Sequence, residues 1–202
     1  MGRREERFIR SILEGDDWKA AAEDAGVPES KARAFLESVA GFAALVGGVP
    51  EFAHDPGGAV RWKPAAGGQE FVVHTDGASL GNPGPAGAGG VITTPEGEVV
   101  EEFHERLGRA TSNVAEYEAV RIGIARAIAL GARRVRVRLD SELVANQLLG
   151  RYKVRDPKLL DAYLRVESLL SQLDAVSFEA IPRRENARAD KLAQMGAREN
   201  RG

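Results

Sequence analysis

Four carboxylates along this chain sit among residues that could put them to chemical use. Asp76 lies in Thr75-Asp76-Gly77-Ala78-Ser79, Glu116 in Asn113-Val114-Ala115-Glu116, Asp140 in Leu139-Asp140-Ser141-Glu142, and Asp190 in Glu185-Asn186-Ala187-Arg188-Ala189-Asp190. Carboxylate oxygens are hard ligands. Several of them, gathered from different elements, suit Mg²⁺ or a similar six-coordinate cation that keeps part of its water shell. Their mutual repulsion raises proton affinity until cations enter. Each residue also has a local use that needs no metal. Asp76 before Gly77 fits a turn. Asn113 and Glu116 have the spacing of a capping box, and Asp140 fits the cap of a helix starting at Ser141. Asp190, with Arg184, Arg188 and Lys191 nearby, fits a surface ion pair of little energetic weight.

Which use holds depends on the elements that carry them. Phe71-Val72-Val73-His74 is a short apolar run bounded by Gly67-Gly68. It reads as a buried strand with Asp76 at its exit. Further strands are expected at about 88–94 and 99–107, joined by a tight turn at Thr94-Pro95-Glu96-Gly97-Glu98. A helix follows over about 112–130, with Tyr117, Val120, Ile124 and Ile128 as its core stripe and Gly131 as its stop. Val135, Val137 and Leu139 alternate with Arg134, Arg136 and Arg138, a strand with one polar face that ends at Asp140. A short helix spans about 141–149. Asp156-Pro157 starts a longer one, whose inward stripe is Leu159, Tyr163, Val166, Leu170 and Leu173. Val176, Phe178 and Ala180 mark the last strand, and a final helix runs from Asn186 to about Arg198. Three hairpin-linked strands followed by αβαβα make an α/β unit with a mixed sheet. His74 shares a face with Asp76 and is expected as a core histidine.

Taken in order, Thr75-Asp76-Gly77-Ala78-Ser79 with Gly81-Asn82-Pro83-Gly84-Pro85, then Asn113-x-x-Glu116, then Asp140-Ser141, then Glu185-Asn186-x-x-x-Asp190 resemble the ribonuclease H family, in its type I bacterial and archaeal branch. The resemblance covers about residues 70–198. Four motifs in family order are far more specific than any one alone. The resemblance implies a ribonuclease H-like fold: five strands in the order 3-2-1-4-5 with helices on both faces. In that order the first and fourth strands are neighbours, which brings Asp76 and Asp140 to adjacent strand ends. It implies an endonuclease that cuts the RNA strand of RNA–DNA hybrids, using two Mg²⁺ or Mn²⁺ ions about 4 Å apart to clamp the scissile phosphate. Asp76, Glu116, Asp140 and Asp190 would be the catalytic and metal-binding residues, with Asp76 bridging. Gly77, Ser79, Gly81, Asn82, Asn113 and Ser141 would lie against the nucleic acid, with Gly81, Asn82 and Asn113 on the RNA strand. Thr111 would grip a phosphate of the DNA strand.

Three departures from the family pattern bear on rate. Ile181-Pro182-Arg183-Arg184-Glu185 lacks the loop histidine that many relatives carry. Arginine stays protonated and cannot act as a general base. Arg183, Arg184 or both are therefore expected to hold a phosphate bidentately or to help release product, each being otherwise a plain solvated arginine. Glu142 follows Asp140-Ser141 where glutamine is frequent. Only Arg151 to Arg155 separates two helices, so the basic helical protrusion of some members is missing. Two other readings compete: a nucleic-acid-binding module that keeps the fold without catalysis, and a related nuclease such as a junction resolvase. A pure binder has no need to concentrate negative charge where phosphates dock.

The remainder of the chain bounds this reading. Hydrophobic residues make up 43% and charged ones 29% of 202 residues, enough for a real core in a soluble chain. No apolar run reaches membrane-spanning length, so no membrane partner is expected. The charged Met1-Gly2-Arg3-Arg4-Glu5-Glu6 start lacks a signal-peptide core. Cysteine is absent, which excludes disulfide partners and thiolate metal sites. A cytoplasmic protein is the simplest expectation. The net charge of −2 carries no prior for nucleic acid, and the basic runs 133–138, 151–155 and 182–184 are the local positive clusters. Residues 1–46 are expected as a small all-helical domain, with helices at 4–14, from 16–17 to 25, and 30–44. Ala22, Gly26, Val27, Ala32 and Phe35 have spacings like those of a helix-turn-helix, yet also like those of a plain bundle. Residues 1–65 carry two more acidic than basic side chains, unlike the usual DNA reader. Residues 47–69 have a Gly/Pro-rich linker composition, within which Trp62 is expected to pack on a neighbouring surface. Residues 70–202 then form the catalytic domain.

Overall fold

Period-two alternation and β-branched runs become strands wherever the sequence carries them after residue 68. The structure, a computed structural model, describes Arg7, residues 18–28, residues 61–62 and residues 69–199. The elements are α1 (Trp18–Ala25), β1 (Arg61–Trp62), β2 (Gln69–Ser79), β3 (Gly84–Thr93), β4 (Val99–Ala110), α2 (Ser112–Ala129), β5 (Ala132–Leu139), α3 (Glu142–Leu148), α4 (Pro157–Leu170), β6 (Ala175–Ala180) and α5 (Ala187–Arg198). The helices expected over 4–14 and 30–44 lie outside the described residues, apart from helical Arg7. So does most of 47–69. α1 ends where Gly26 turns with φ 66°, as the break at Gly26-Val27-Pro28 anticipates.

The sheet runs β1-β6-β5-β2-β3-β4. The five expected strands appear in the expected order, read from β4 inward as 3-2-1-4-5. β2 pairs antiparallel with β3 and parallel with β5, with Asp76 opposite Gly89 and His74 beside Arg138. One addition was not foreseen. Arg61 and Trp62, inside the stretch expected as linker, pair antiparallel with Val176 and Ala175 and add a two-residue sixth strand at the β6 edge.

Local signals set the helix starts. Thr111 caps α2 by accepting the Val114 N–H, so Asn113 and Glu116 are not a capping box. Ser141 caps α3 through the Val144 N–H, so Asp140 is free of that duty. Asp156 caps α4, accepting from Lys158 N–H at 2.8 Å, with Pro157 in the first turn. Gly131 takes φ 91° just past α2.

The main core lies between the sheet and the helices α2, α3 and α4. It joins Phe71, Val73, Val135, Val137 and Leu139 of the strands to Tyr117, Val120, Ile124, Leu148, Leu159 and Val166. The opposite face of β3 carries α5 at very short range. A Cβ on Gly89 would fall 2.1 Å from Ala193 N, and one on Gly87 2.1 Å from Ala197 N. Bare glycine backbone is therefore what seats α5 on the sheet. No helix among the described residues is long and apolar enough to cross a membrane.

Candidate active site

β2 and β5 are parallel neighbours, so their C-terminal ends share one edge of the sheet. Asp76 sits near the end of β2 and is only 5% exposed. Asp140 follows the last residue of β5 directly. Glu116 enters from the second turn of α2, because Gly77 lets that helix come close: a Cβ there would lie 2.1 Å from Glu116 N. One carboxylate oxygen from each of Asp76, Glu116 and Asp140 lies within 4.8 Å of the others.

Their electrostatics are those of carboxylates crowded together away from solvent. Burial pushes the Asp76 carboxyl up to about 7. The Asp140 charge, a hydrogen bond with Asp140 and the Asp190 charge push the same way, and Arg183 opposes them. Glu116 is held well above the usual carboxylate range by burial, then by Asp76 and Asp140, with the Gly77 N–H donating to it in partial compensation. Glu116 Oε2 is buried with no hydrogen-bond partner. A buried carboxylate oxygen left so is costly. Three converging hard oxygens with an orphan among them fit Mg²⁺ or Mn²⁺.

Asp190, the fourth expected ligand, stands apart from this trio. Its Oδ1 accepts from Arg183 Nη2 at 2.8 Å and its Oδ2 from Gln194 Nε2 at 2.8 Å. It faces the trio closely enough to raise Asp76, but both its oxygens are engaged. Arg183 is thus an ion-pair partner of a site carboxylate rather than a free phosphate ligand. Arg184 is more open, its side chain 83% exposed and 3.7 Å from Glu185. Both arginines belong to a 3₁₀ turn at Arg183–Glu185.

Asn186 was visible in the sequence only as part of a motif, and its role emerges from geometry. It is 1% exposed, and its Nδ2 donates to Thr75 O at 2.9 Å and to Asp140 Oδ1 at 3.3 Å. It thereby ties the start of α5 to β2 and aims Asp140. Its spacing four before Asp190, on the same helix face, was the available signal. Gln194, four after Asp190, had the same one.

The loop after β2 is braced internally. The Ser79 hydroxyl lies within reach of the Gly81 and Ala110 carbonyls, the latter at 2.8 Å, and its one proton donates to either, so it pins the loop instead of projecting from it. Gly81 takes φ 128°, and a Cβ on Gly84 would meet Leu80 O at 2.6 Å. Asn82 Oδ1 accepts the Ser112 N–H at 3.2 Å, and Arg109 reaches Pro83 O at 3.2 Å. The loop is thus fastened to the N-terminus of α2, beside Thr111 and half-buried Asn113. The hydroxyls of Thr111 and Ser141 both serve as caps. His74 corrects the expectation of a core residue: it is half-buried beside the Arg138–Glu179 pair, and burial followed by the Arg138 charge holds its pKa below the ordinary value, with Glu179 opposing. Glu142 is exposed in the first turn of α3, and Arg151, Tyr152, Lys153 and Arg155 are exposed around buried Val154.

Residues 74–196 match the family described as Reverse transcriptase-like. Among curated proteins, the chain is 45% identical over 125 residues to the bifunctional protein Rv2228c of Mycobacterium tuberculosis, covering 61% of this chain and 34% of that protein. It is 41% identical over 131 residues to ribonuclease HI of Halobacterium salinarum, covering 65% of each. The chain thus spans about a third of the length of the mycobacterial relative. Among solved structures, it resembles the N-terminal RNase H domain of Rv2228c at TM-score 0.63 and 41% identity, covering 65% of this chain and 96% of that one. It also resembles LC11-RNase H1 in complex with an RNA/DNA hybrid, at TM-score 0.61 and 36% identity, covering 64% and 97%.

Proposed function

Because the chain belongs to the reverse transcriptase-like family and carries a ribonuclease H domain, we propose that it is a metal-dependent endonuclease that hydrolyses the RNA strand of RNA–DNA hybrids. The observation that carries this reading is the trio of Asp76, Glu116 and Asp140, with one carboxylate oxygen of each within 4.8 Å of the others. A binding module without catalysis has no use for such a cluster beside docking phosphates.

In this reading Asp76, Glu116 and Asp140 would hold Mg²⁺ or Mn²⁺, and Asp190 would complete the set. Cations held there would supply a more acidic bound water and positive charge beside the phosphate. The chain's own groups fix the ligands: Asn186 aims Asp140, the Gly77 N–H aims Glu116, and glycine packing brings α2 and α5 within reach. With Asn82 Oδ1 taken up by Ser112, its amide hydrogens are left for the RNA strand, whose 2′-hydroxyl can accept them. Gly81 and Asn113 flank it. Thr111 stands at the N-terminus of α2, whose positive end would favour a DNA phosphate. Arg184, exposed on the 3₁₀ turn before α5, would steady an RNA phosphate. No histidine lies in 181–185, and Arg183 and Arg184 stay protonated, so neither arginine of this turn serves as a general base.

The test is cleavage of labelled hybrid, DNA duplex and RNA duplex, each with Mg²⁺ and with Mn²⁺. The hybrid's RNA strand should be cut and the DNA duplex left intact. Asp76→Asn should lose at least about a thousandfold in rate, roughly 4 kcal/mol of transition-state stabilisation, while still binding hybrid. A folded Asp76→Asn protein that cuts at the wild-type rate would overturn the assignment.

A further inference from the structure

Asp190 differs from its three companions in one respect: it already has a cation. Arg183 Nη2 lies 2.8 Å from Oδ1, and Gln194 occupies Oδ2 at 2.8 Å, while Glu116 Oε2 in the neighbouring trio has no partner at all. The Arg183 side chain is 75% exposed and hangs from a three-residue 3₁₀ turn, whereas Asp190 is 23% exposed on a regular helix. The carboxylate is therefore fixed and the guanidinium is the piece free to leave.

Resting on the reading above, we propose that Arg183 is an internal competitor for the cation position served by Asp190, so that the protein alone binds one divalent ion well and a second only weakly. Two consequences follow from charge alone. A divalent ion that recruits Asp190 must displace a guanidinium, which costs the ion pair and places two cations near one another. An arriving phosphodiester offers Arg183 an alternative bidentate partner. Once it turns to the phosphate, Asp190 Oδ1 is released to the metal. Arg183 would in this way delay assembly of the full charge cluster until substrate is present, and the trio would remain the resident site. The guanidinium is largely solvent-exposed, so the competition is modest, in the range of a few-fold in affinity.

The experiment counts Mn²⁺ on the full chain without nucleic acid, from the electron paramagnetic resonance signal of the free ion, at low ionic strength. Wild type should show one tighter and one weaker site. Arg183→Ala should tighten the weaker site about two- to fivefold and leave the tighter one unchanged. Arg183→Lys, which keeps the charge, should stay near wild type. Asp190→Asn should remove the weaker site, and adding Arg183→Ala to it should change nothing further. Adding uncleaved hybrid of all-phosphorothioate RNA should tighten the weaker site in wild type more than in Arg183→Ala. Unchanged or weakened second-site affinity in Arg183→Ala overturns the competitor role while leaving the metal reading intact. A wild-type protein that binds no Mn²⁺, or an Asp76→Asn protein that binds it equally well, overturns the metal reading itself and this inference with it.

Discussion

At the residue scale, the decisive property is the energetic discomfort of Asp76. Its ordinary value of 3.8 is pushed to about 7 in the folded chain, by burial first and by Asp140 next. Between those values the native state keeps a proton that the unfolded state has lost. Stability falls with rising pH wherever the native state binds more protons. The metal-free protein should therefore lose stability as pH rises through this window, and Asp76→Asn, which has nothing to titrate there, should lose less. Divalent cations bind the ionised form, so their stabilising effect should grow in the opposite direction. Calorimetric melts of wild type and Asp76→Asn at about pH 5 and about pH 8, with and without Mg²⁺, check both signs. Mg²⁺ should raise the wild-type midpoint more at the higher pH and hardly move the variant. Equal Mg²⁺ shifts in both proteins would disconnect the perturbed carboxylate from the cation.

At the element scale, the site depends on how closely two helices approach one sheet. α5 carries Asn186 at its start and Asp190 in its first turn, and it rests on Gly87 and Gly89 of β3. A Cβ at Gly89 would sit 2.1 Å from the backbone of Ala193, which no rotamer change relieves. Gly89→Ala should cost about 1–3 kcal/mol through overpacking and should also displace α5, so cleavage should drop by more than the loss of folded protein explains. Gly97→Ala is the matched control. Gly97 has φ 94° and open space around it, so its cost is backbone strain of about 1–2 kcal/mol at a turn remote from α5. Thermal melts and turnover measured on both variants should show similar destabilisation but unequal activity. If Gly89→Ala cuts hybrid as fast per folded molecule as Gly97→Ala, the seat of α5 does not control the site.

At the scale of the whole molecule, the main core, among the described residues, draws on those between Phe71 and Phe178, and all four candidate carboxylates lie between Asp76 and Asp190. One link to earlier residues among those described is the two-residue pairing of β1 with the β6 edge. A 67–202 fragment should therefore fold, cut hybrid with a divalent ion, and melt only a few degrees below the full chain, since losing a short edge strand removes roughly 1 kcal/mol. Residues 1–66 would then act on affinity or partner choice. Circular dichroism melts and hybrid cleavage by the fragment decide this. A soluble, folded fragment with no cleavage would show that the earlier residues complete the catalytic unit.

Local sequence determined much of this protein by itself. Alternation at Val135, Val137 and Leu139, the Asp156-Pro157 start of α4 and the stop at Gly131 depend on neighbours a few residues away, and each appears where such rules put it. The four motifs, read as a resemblance, also carried the strand order. Tertiary structure alone decided which carboxylates share a space. Three residues spread over 64 positions of chain converge because β2 and β5 are parallel and because Gly77 admits α2. The same packing withheld Asp190, whose partners Arg183 and Gln194 come from its own helix and the turn before it. It turned Asn186 from a motif letter into the brace of Asp140, left His74 at a half-open sheet face, and set Arg61 and Trp62 against β6. Charge pairing and close approach act through space, and distances across the fold are not written in the spacing of residues along it.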